Sequence, residues 1–132
     1  MAKSKLQSLY DTYQGRRLQD DGAYVSKEFN NFQNAFFRAM KELADEIGAT
    51  IAAKSKGHYD MSVFFERNGK YVYLSYGRLD RTKVDLTSHG IGFYARTAAH
   101  VKDYRGGANN WTGIDTLKRD IDRLLNTEHH QV

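Results

Sequence analysis

The stretch Met61–Tyr76, with the sequence MSVFFERNGKYVYLSY, predicts a β-hairpin. Asn68–Gly69 is the favoured residue pair for a two-residue turn, because both central positions of that turn need a positive φ. With these residues as the loop, Arg67 pairs with Lys70, and the strand pairing runs outward from there. One face of the hairpin then carries the apolar residues and one tyrosine, and it is predicted to face the core. These residues are Met61, Val63, Phe65, Val72, Leu74 and Tyr76.

The opposite face of the hairpin is mixed in character. Its residues are Asp60, Ser62, Phe64, Glu66, Tyr71, Tyr73 and Ser75. A register slip of one residue would exchange the two faces, so the turn and the pattern support each other. The aromatic cluster of Phe64, Tyr71 and Tyr73 resembles a platform on which bases stack. Because Glu66 and Asp60 would repel phosphate, cover by the N-terminal segment or self-association into a homodimer is the favoured interpretation.

Further strands are predicted on both sides of this hairpin. Thr50–Ala53 has the composition of a short strand, and Ile91–Arg96 alternates like a half-buried one. The polar stretch Arg78–Ser88 between them is interpreted as either a strand or a long connection.

Two segments have the apolar spacing of amphipathic helices. The first covers residues 27–47, with Ser26 as its N-cap and Gly48 at its end. Its stripe is Phe29, Phe32, Phe36, Met40, Leu43 and Ile47. The second is predicted to begin after Thr112 as N-cap, with Asp115 completing a capping box. Its stripe is Ile114, Leu117, Ile121, Leu124 and Leu125.

These elements predict an α+β fold. We expect a three- to four-stranded antiparallel sheet with Phe29–Ile47 and Ile114–Leu125 packed on one face, in the order α-β-β-β-α. Residues 25–127 form this single domain, and residues 128–132 are a frayed tail. Residues 1–24 are a weakly structured arm, in which Leu6, Leu9, Tyr10 and Tyr13 have the spacing of one face of a short helix.

The amino-acid composition limits the classes of protein to which this chain can belong. The chain has 132 residues, of which 40% are hydrophobic and 27% charged, as in ordinary globular domains. It contains no cysteine, which is compatible with a cytoplasmic location. No segment is long and apolar enough to suggest a membrane partner. The net charge of +4 and the pI near 9.3 favour an anionic partner, although the basic residues form no block.

The loop Arg96–Trp111, with the sequence RTAAHVKDYRGGANNW, is the strongest candidate for a binding site. It carries several cations and one tyrosine beside a Gly106–Gly107 pair that lets the backbone approach a ligand closely. The cations are expected to contact phosphates, and Tyr104 or Trp111 to stack on a base. Trp111 on its own is better explained as a hydrophobic staple at the start of the last helix.

The sequence gives little sign of catalysis or of a metal site. The histidines lack metal-ligand spacing, and they are His58, His89, His100, His129 and His130. The pair His129–His130 is expected to be solvated. No nucleophile motif or phosphate loop occurs, so we assign no catalytic residue, metal or cofactor. A minor alternative is a hydrolase in which His100 works with Asp103.

A strand-then-loop signature resembles a known group of proteins. It consists of Tyr71-Val-Tyr-Leu-Ser75, then Arg96-Thr-Ala98, His100, and Lys102-Asp-Tyr-Arg-Gly-Gly107 with Asn109–Asn110. The stretch from Tyr71 to Leu125 is similar in this respect to small uncharacterised accessory proteins of bacterial mobile elements such as plasmids and phages. That resemblance implies an accessory DNA-binding factor or an inhibitor of host defence, including anti-CRISPR proteins.

The sequence therefore predicts a non-enzymatic protein that binds nucleic acid, or a nucleic-acid-bound protein complex. The expected contact residues are Arg96, His100, Lys102, Tyr104, Arg105, Tyr71 and Tyr73. One alternative is a protein-binding inhibitor of a host-defence nuclease that uses the same loop and the tyrosine face. The other is the small hydrolase.

Overall fold

A computed structural model describes residues 3–16, 27–56, 61–76, 83–88, 92–104 and 107–129 of the chain. The helices are α1 (Lys5–Tyr13), α2 (Lys27–Glu46) and α3 (Leu117–Leu125). The strands are β1 (Thr50–Lys56), β2 (Met61–Arg67), β3 (Lys70–Tyr76), β4 (Phe93–Ala98) and β5 (Asn110–Thr112). The predicted α+β class is confirmed.

The central hairpin has the predicted register. Arg67 pairs with Lys70, Phe65 with Val72, and each pair further out follows in step. Asn68 and Gly69 form the turn with φ of 55° and 78°, the positive values that a two-residue turn requires. The register prediction is therefore confirmed.

The sheet is antiparallel and open, with the strand order β1-β2-β3-β4-β5. The prediction of three to four strands was wrong, and so was the element order α-β-β-β-α. The short strand expected near Thr50 is present as β1, which continues to Lys56 and contains a bulge between Ile51 and Ala53. β5 was not predicted, because three residues are too few to show an alternating pattern.

The core lies on the face of the sheet that the hairpin pattern predicted. Helices α2 and α3 both contribute to it, as expected, and α1 joins them. Phe36 of α2 stacks on Phe93 of β4 with ring centroids 6.0 Å apart. The predicted face residues are all fully or almost fully buried in this cluster: Met61, Val63, Phe65, Val72, Leu74 and Tyr76.

The N-terminal arm contains a packed helix over its described part. Ser4 caps α1 by accepting a hydrogen bond from the backbone N–H of Gln7 at 3.0 Å. Leu9 and Tyr13 are buried, and the Tyr13 ring meets Phe32 of α2 edge to face at 4.9 Å. The apolar spacing of this segment thus forms a helix face that covers the core.

The ends of α2 agree with the sequence pattern where they are described. Gly48 follows the helix with φ of 70°, and the N–H of Ala49 bonds to the carbonyl of Ala44 at 2.8 Å. The expected N-cap, Ser26, lies outside the described residues.

The start of α3 differs from the prediction. Thr112 is not its N-cap but the last residue of β5, and the helix begins at Leu117. The hydroxyl of Thr112 donates to Asp120 at 2.8 Å, so it stabilises the helix from the side. Asp115 is not part of a capping box, because its carboxylate accepts from the backbone and hydroxyl of Ser88. The free edge of β4 draws Asn110–Thr112 into the sheet and delays the helix.

The connection before β4 is irregular over its described residues 83–88. Val84 and Leu86 are nevertheless fully buried in the core. The hydroxyl of Tyr76 accepts a hydrogen bond from the N–H of Asp85 at 3.0 Å, which fixes this segment against β3.

Candidate nucleic-acid interface

The face of the sheet opposite the core carries a continuous group of aromatic side chains and one arginine, which we call the aromatic face. Its members are Phe64, Tyr71, Tyr73, Tyr94, Arg96, Tyr104 and Trp111. Strand register brings most of them together: Phe64, Tyr73 and Arg96 stand in one row across β2, β3 and β4. Tyr94 and Trp111 stand opposite each other in the next row.

Two members of the aromatic face are the only large hydrophobic side chains exposed among the described residues. Tyr104 is 48% exposed and Trp111 is 53% exposed. By contrast, Phe64 and Tyr73 are 2% and 7% exposed, so they form the floor. An exposed tryptophan and tyrosine on one surface are typical of a contact site.

The rings of the aromatic face touch in sequence from one end to the other. Tyr104 meets Tyr73 edge to face at 5.5 Å, and Tyr73 lies 6.1 Å from Tyr94. Tyr94 in turn meets Trp111 edge to face at 5.6 Å. The two exposed rings therefore lie at the ends of a row of rings that runs through Tyr73 and Tyr94.

Arg96 lies in that floor. Its guanidinium carbon is 5.0 Å from the ring centroid of Tyr73 and 5.4 Å from that of Tyr94. Among the described residues no carboxylate pairs with it, and its buried Nε has no hydrogen-bond partner. The cation is thus held in place by ring faces and keeps its charge available to an anionic ligand.

The loop after β4 supplies the cation Lys102 and the ring of Tyr104. Lys102 is exposed and has φ of 69°, a left-handed conformation that is uncommon for a residue with a side chain. His100 is exposed, with its Nδ1 2.6 Å from the carbonyl oxygen of Val101. Arg105, also expected to bind, lies outside the described residues.

Two carboxylates near this surface, those of Glu66 and Asp103, accept hydrogen bonds from backbone N–H groups. Glu66 accepts a hydrogen bond from the N–H of Gly69 at 2.9 Å. Asp103 accepts from the N–H of Ala99 at 2.8 Å, and its side chain is only 10% exposed. Both carboxylates are held in place by backbone amides, and they keep their negative charge. Asp60 lies outside the described residues.

Tyr73 is a neutral member of the floor. Burial raises the pKa of its hydroxyl above the usual value, and hydrogen bonding to Ser75 and Ser62 offsets part of that rise. The hydroxyl of Tyr73 is therefore protonated at neutral pH, and this residue adds no charge to the floor.

The structure brings most of the predicted contact residues to one surface. Arg96, Tyr73, Tyr104 and half-buried Tyr71 belong to the aromatic face, and Lys102 and His100 lie on the adjoining loop. Trp111 was misassigned, because it is an exposed residue of β5 and not a staple of the helix. The sequence around Trp111 could not separate a strand from a loop, because β5 is only three residues long.

The hydrolase alternative depends on His100 and Asp103. The carboxylate of Asp103 lies 3.8 Å from Nε2 of His129, a histidine outside the pair considered from the sequence. His129 also lies 3.0 Å from the hydroxyl of Thr97 through Nδ1, so it packs against the end of β4 and is not solvated as expected. No group of three or more metal-ligating side chains occurs among the described residues.

Comparison with known proteins gives no relatives: no family model, curated protein or solved structure matches this chain. The resemblance to mobile-element proteins therefore stays a prediction from the residues. None of the helices in the described ranges is long and apolar enough to cross a bilayer.

Proposed function

We propose that this protein binds single-stranded nucleic acid on the aromatic face without catalysing a reaction. The observation that carries the proposal is the placement of Arg96 between Tyr73 and Tyr94, with Tyr104 and Trp111 exposed on either side. Exposed rings stack on bases of any identity, and a cation among them attracts the phosphate backbone.

Single strands fit this surface better than duplexes do. Bases must be unstacked before an aromatic side chain can lie against them, and a loop or single strand offers such bases. Duplex readout requires a helix or ribbon that enters a groove. The aromatic face instead lies on the sheet, and the three described helices contribute to the core. The net charge of +4 favours approach of any polyanion.

The fluorescence of Trp111 tests the proposal directly, because it is the one tryptophan in the chain. Mixed-sequence single-stranded DNA and RNA oligonucleotides are titrated at low salt, with duplexes of the same sequence beside them. We expect quenching by the single strands and an affinity that falls with salt, by about 0.7 in log K per phosphate neutralised and per tenfold change in salt. Absence of quenching and of any anisotropy change up to about 100 µM nucleic acid at low salt contradicts the proposal.

The second candidate is a protein partner, for instance a host-defence nuclease inhibited through this surface. The observation that favours it is the combination of exposed Trp111 and Tyr104 with Arg96, since these residue types dominate protein-binding hot spots. Capture from a bacterial lysate with and without nuclease treatment separates the two candidates. A partner that survives nuclease treatment and high salt, and that is lost with Trp111→Ala, favours the protein interface.

A further inference from the structure

A groove of about 630 Å³ lies between α2 and β1, at the edge of the sheet remote from Trp111. Its floor is apolar and includes Phe37 of α2, Ile51 of β1 and Val63 of β2. The volume falls in the range of sites for small molecules, which usually combine an apolar lining with a few polar groups.

Three cations, Arg38, Lys41 and Lys54, belong to the described lining of this groove. Lys41 is paired with Asp45 at 2.7 Å. The ammonium of Lys54 lies 5.2 Å from the ring centroid of Phe37, and Arg38 is exposed on α2. Neither Lys54 nor Arg38 pairs with a carboxylate of the described residues, and no acidic side chain is part of the described lining. Two uncompensated cations above an apolar floor complement a ligand that is anionic at one end and apolar at the other.

The edge strand argues against another β-strand as the occupant. β1 contains a bulge between Ile51 and Ala53, and Lys54 stands opposite the core residue Val63. A bulge and a lysine on an edge strand are known devices against strand addition. The bulge and Lys54 would hinder a partner strand that extends the sheet at β1. They would not hinder a small ligand that lies between α2 and β1.

We infer that the groove between α2 and β1 binds a small organic acid. Its anionic group is held by Lys54 and Arg38, and its apolar body lies on the partly buried Phe37 and Ile51. A charge-assisted contact to each cation supplies orientation, and burial of the apolar body supplies affinity. This site is separate from the aromatic face, so it is independent of the proposed nucleic-acid binding.

The probe is a dansyl-labelled undecanoic acid, whose fluorescence rises in an apolar environment. Its methyl ester and the corresponding dansyl alkylamine serve as uncharged and cationic counterparts. The variant Arg38→Gln/Lys54→Gln removes both cations from exposed positions without disturbing the core. Lys5→Gln/Lys83→Gln removes the same charge at exposed positions elsewhere on the surface. Thermal melts followed by circular dichroism confirm that each variant is folded.

We expect the acid to bind at least about tenfold more tightly than the ester or the amine. The groove variant should lose about tenfold in affinity for the acid alone, while the matched control binds like the original protein. Equal binding of acid and amine, equal binding by the groove variant, or no binding at all overturns the inference. In the last case Lys54 serves only to protect the edge, and Lys54→Val then produces dimers on size exclusion.

Discussion

Arg96 and Tyr73 stand directly opposite each other on β4 and β3, and the guanidinium of the one lies 5.0 Å from the ring centroid of the other. The ring of Tyr73 has two roles in this pairing. It is part of the floor of the aromatic face, and it holds the cation of Arg96 in place. The ring centroid of Tyr94, which lies on β4 like Arg96 itself, is 5.4 Å from the guanidinium carbon. The consequences of this arrangement can be tested one residue at a time.

Replacement of Arg96 should separate binding from stability. Arg96→Met keeps an unbranched side chain but removes the charge and the buried Nε, which has no hydrogen-bond partner among the described residues. Loss of the cation–π contacts costs about 0.5–2 kcal/mol, and removal of an unsatisfied donor returns about 1–3 kcal/mol. The free energy of unfolding in urea should therefore lie between about 1 kcal/mol below and about 2.5 kcal/mol above that of the original protein, while affinity for single strands falls. Arg96→Lys retains the charge but loses the planar group that stacks on the rings. Its affinity for single strands should therefore lie between those of the original protein and Arg96→Met. Full affinity in Arg96→Met would remove this residue from the site.

Trp111→Ala should weaken nucleic-acid binding by about 1–3 kcal/mol, which is the contribution of one base stacked on an aromatic ring. Stability should change little, because the side chain is 53% exposed on a three-residue edge strand. Fluorescence anisotropy with a labelled oligonucleotide measures both Trp111→Ala and Tyr104→Ala. Lys118→Ala, an exposed change on α3, is the control and should bind normally. An affinity loss shared by all three variants would point to a general effect instead.

Lys102 should be replaceable by glycine with a gain in stability. A left-handed residue with a side chain costs about 1–2 kcal/mol, and glycine removes that cost at some expense in unfolded-state entropy. We expect Lys102→Gly to raise the free energy of unfolding by about 0.5–1 kcal/mol, and Lys102→Ala to leave it unchanged. Both variants should reduce the salt dependence of binding by about 0.7 in slope, because both lose one phosphate contact. A glycine variant that is less stable would mean that the lysine side chain holds the turn.

Tyr73 should make stability sensitive to alkaline pH. Its pKa is raised in the folded state by burial, so the folded protein holds the phenolic proton at a pH where the unfolded chain has lost it. The contribution is complete below the unfolded pKa near 10 and is lost as pH rises toward the folded value. Chemical unfolding at pH 9 and pH 11 should show a smaller alkaline loss for Tyr73→Phe than for the original protein. Equal losses in the two proteins would show that another group governs the alkaline transition.

Gly113, between β5 and α3, should tolerate no side chain. A Cβ at this position would overlap backbone atoms of Thr87 and Ser88, which cannot rotate away. Gly113→Ala should cost about 3 kcal/mol, at the upper end for overpacking. Gly69→Ala is the matched control, since its Cβ meets open space and only the φ of 78° opposes it, at about 1 kcal/mol. Thermal unfolding followed by circular dichroism ranks the two, and an equal cost would contradict the close approach.

The candidate site was only partly predictable. The alternation of the hairpin placed Tyr71 and Tyr73 on the outer face, and the composition of the following loop marked Lys102 and Tyr104 as contact residues. The exposure of Trp111 was not predictable, since a tryptophan just before a helix ordinarily packs against it. His129 was likewise placed wrongly, because its contacts with Thr97 and Asp103 join segments far apart in the chain.

The amino-acid sequence alone determined the register of the hairpin and the buried face of α2. Both depend on neighbouring residues: Asn68–Gly69 fixes the turn, and the strand and helix periods then assign each side chain to a face. The tertiary structure decided where β5 ends and α3 begins, and which aromatic rings stay exposed. Asn110–Thr112 is a strand only because β4 offers it a free edge, and backbone hydrogen bonding to a distant segment leaves no trace in local spacing.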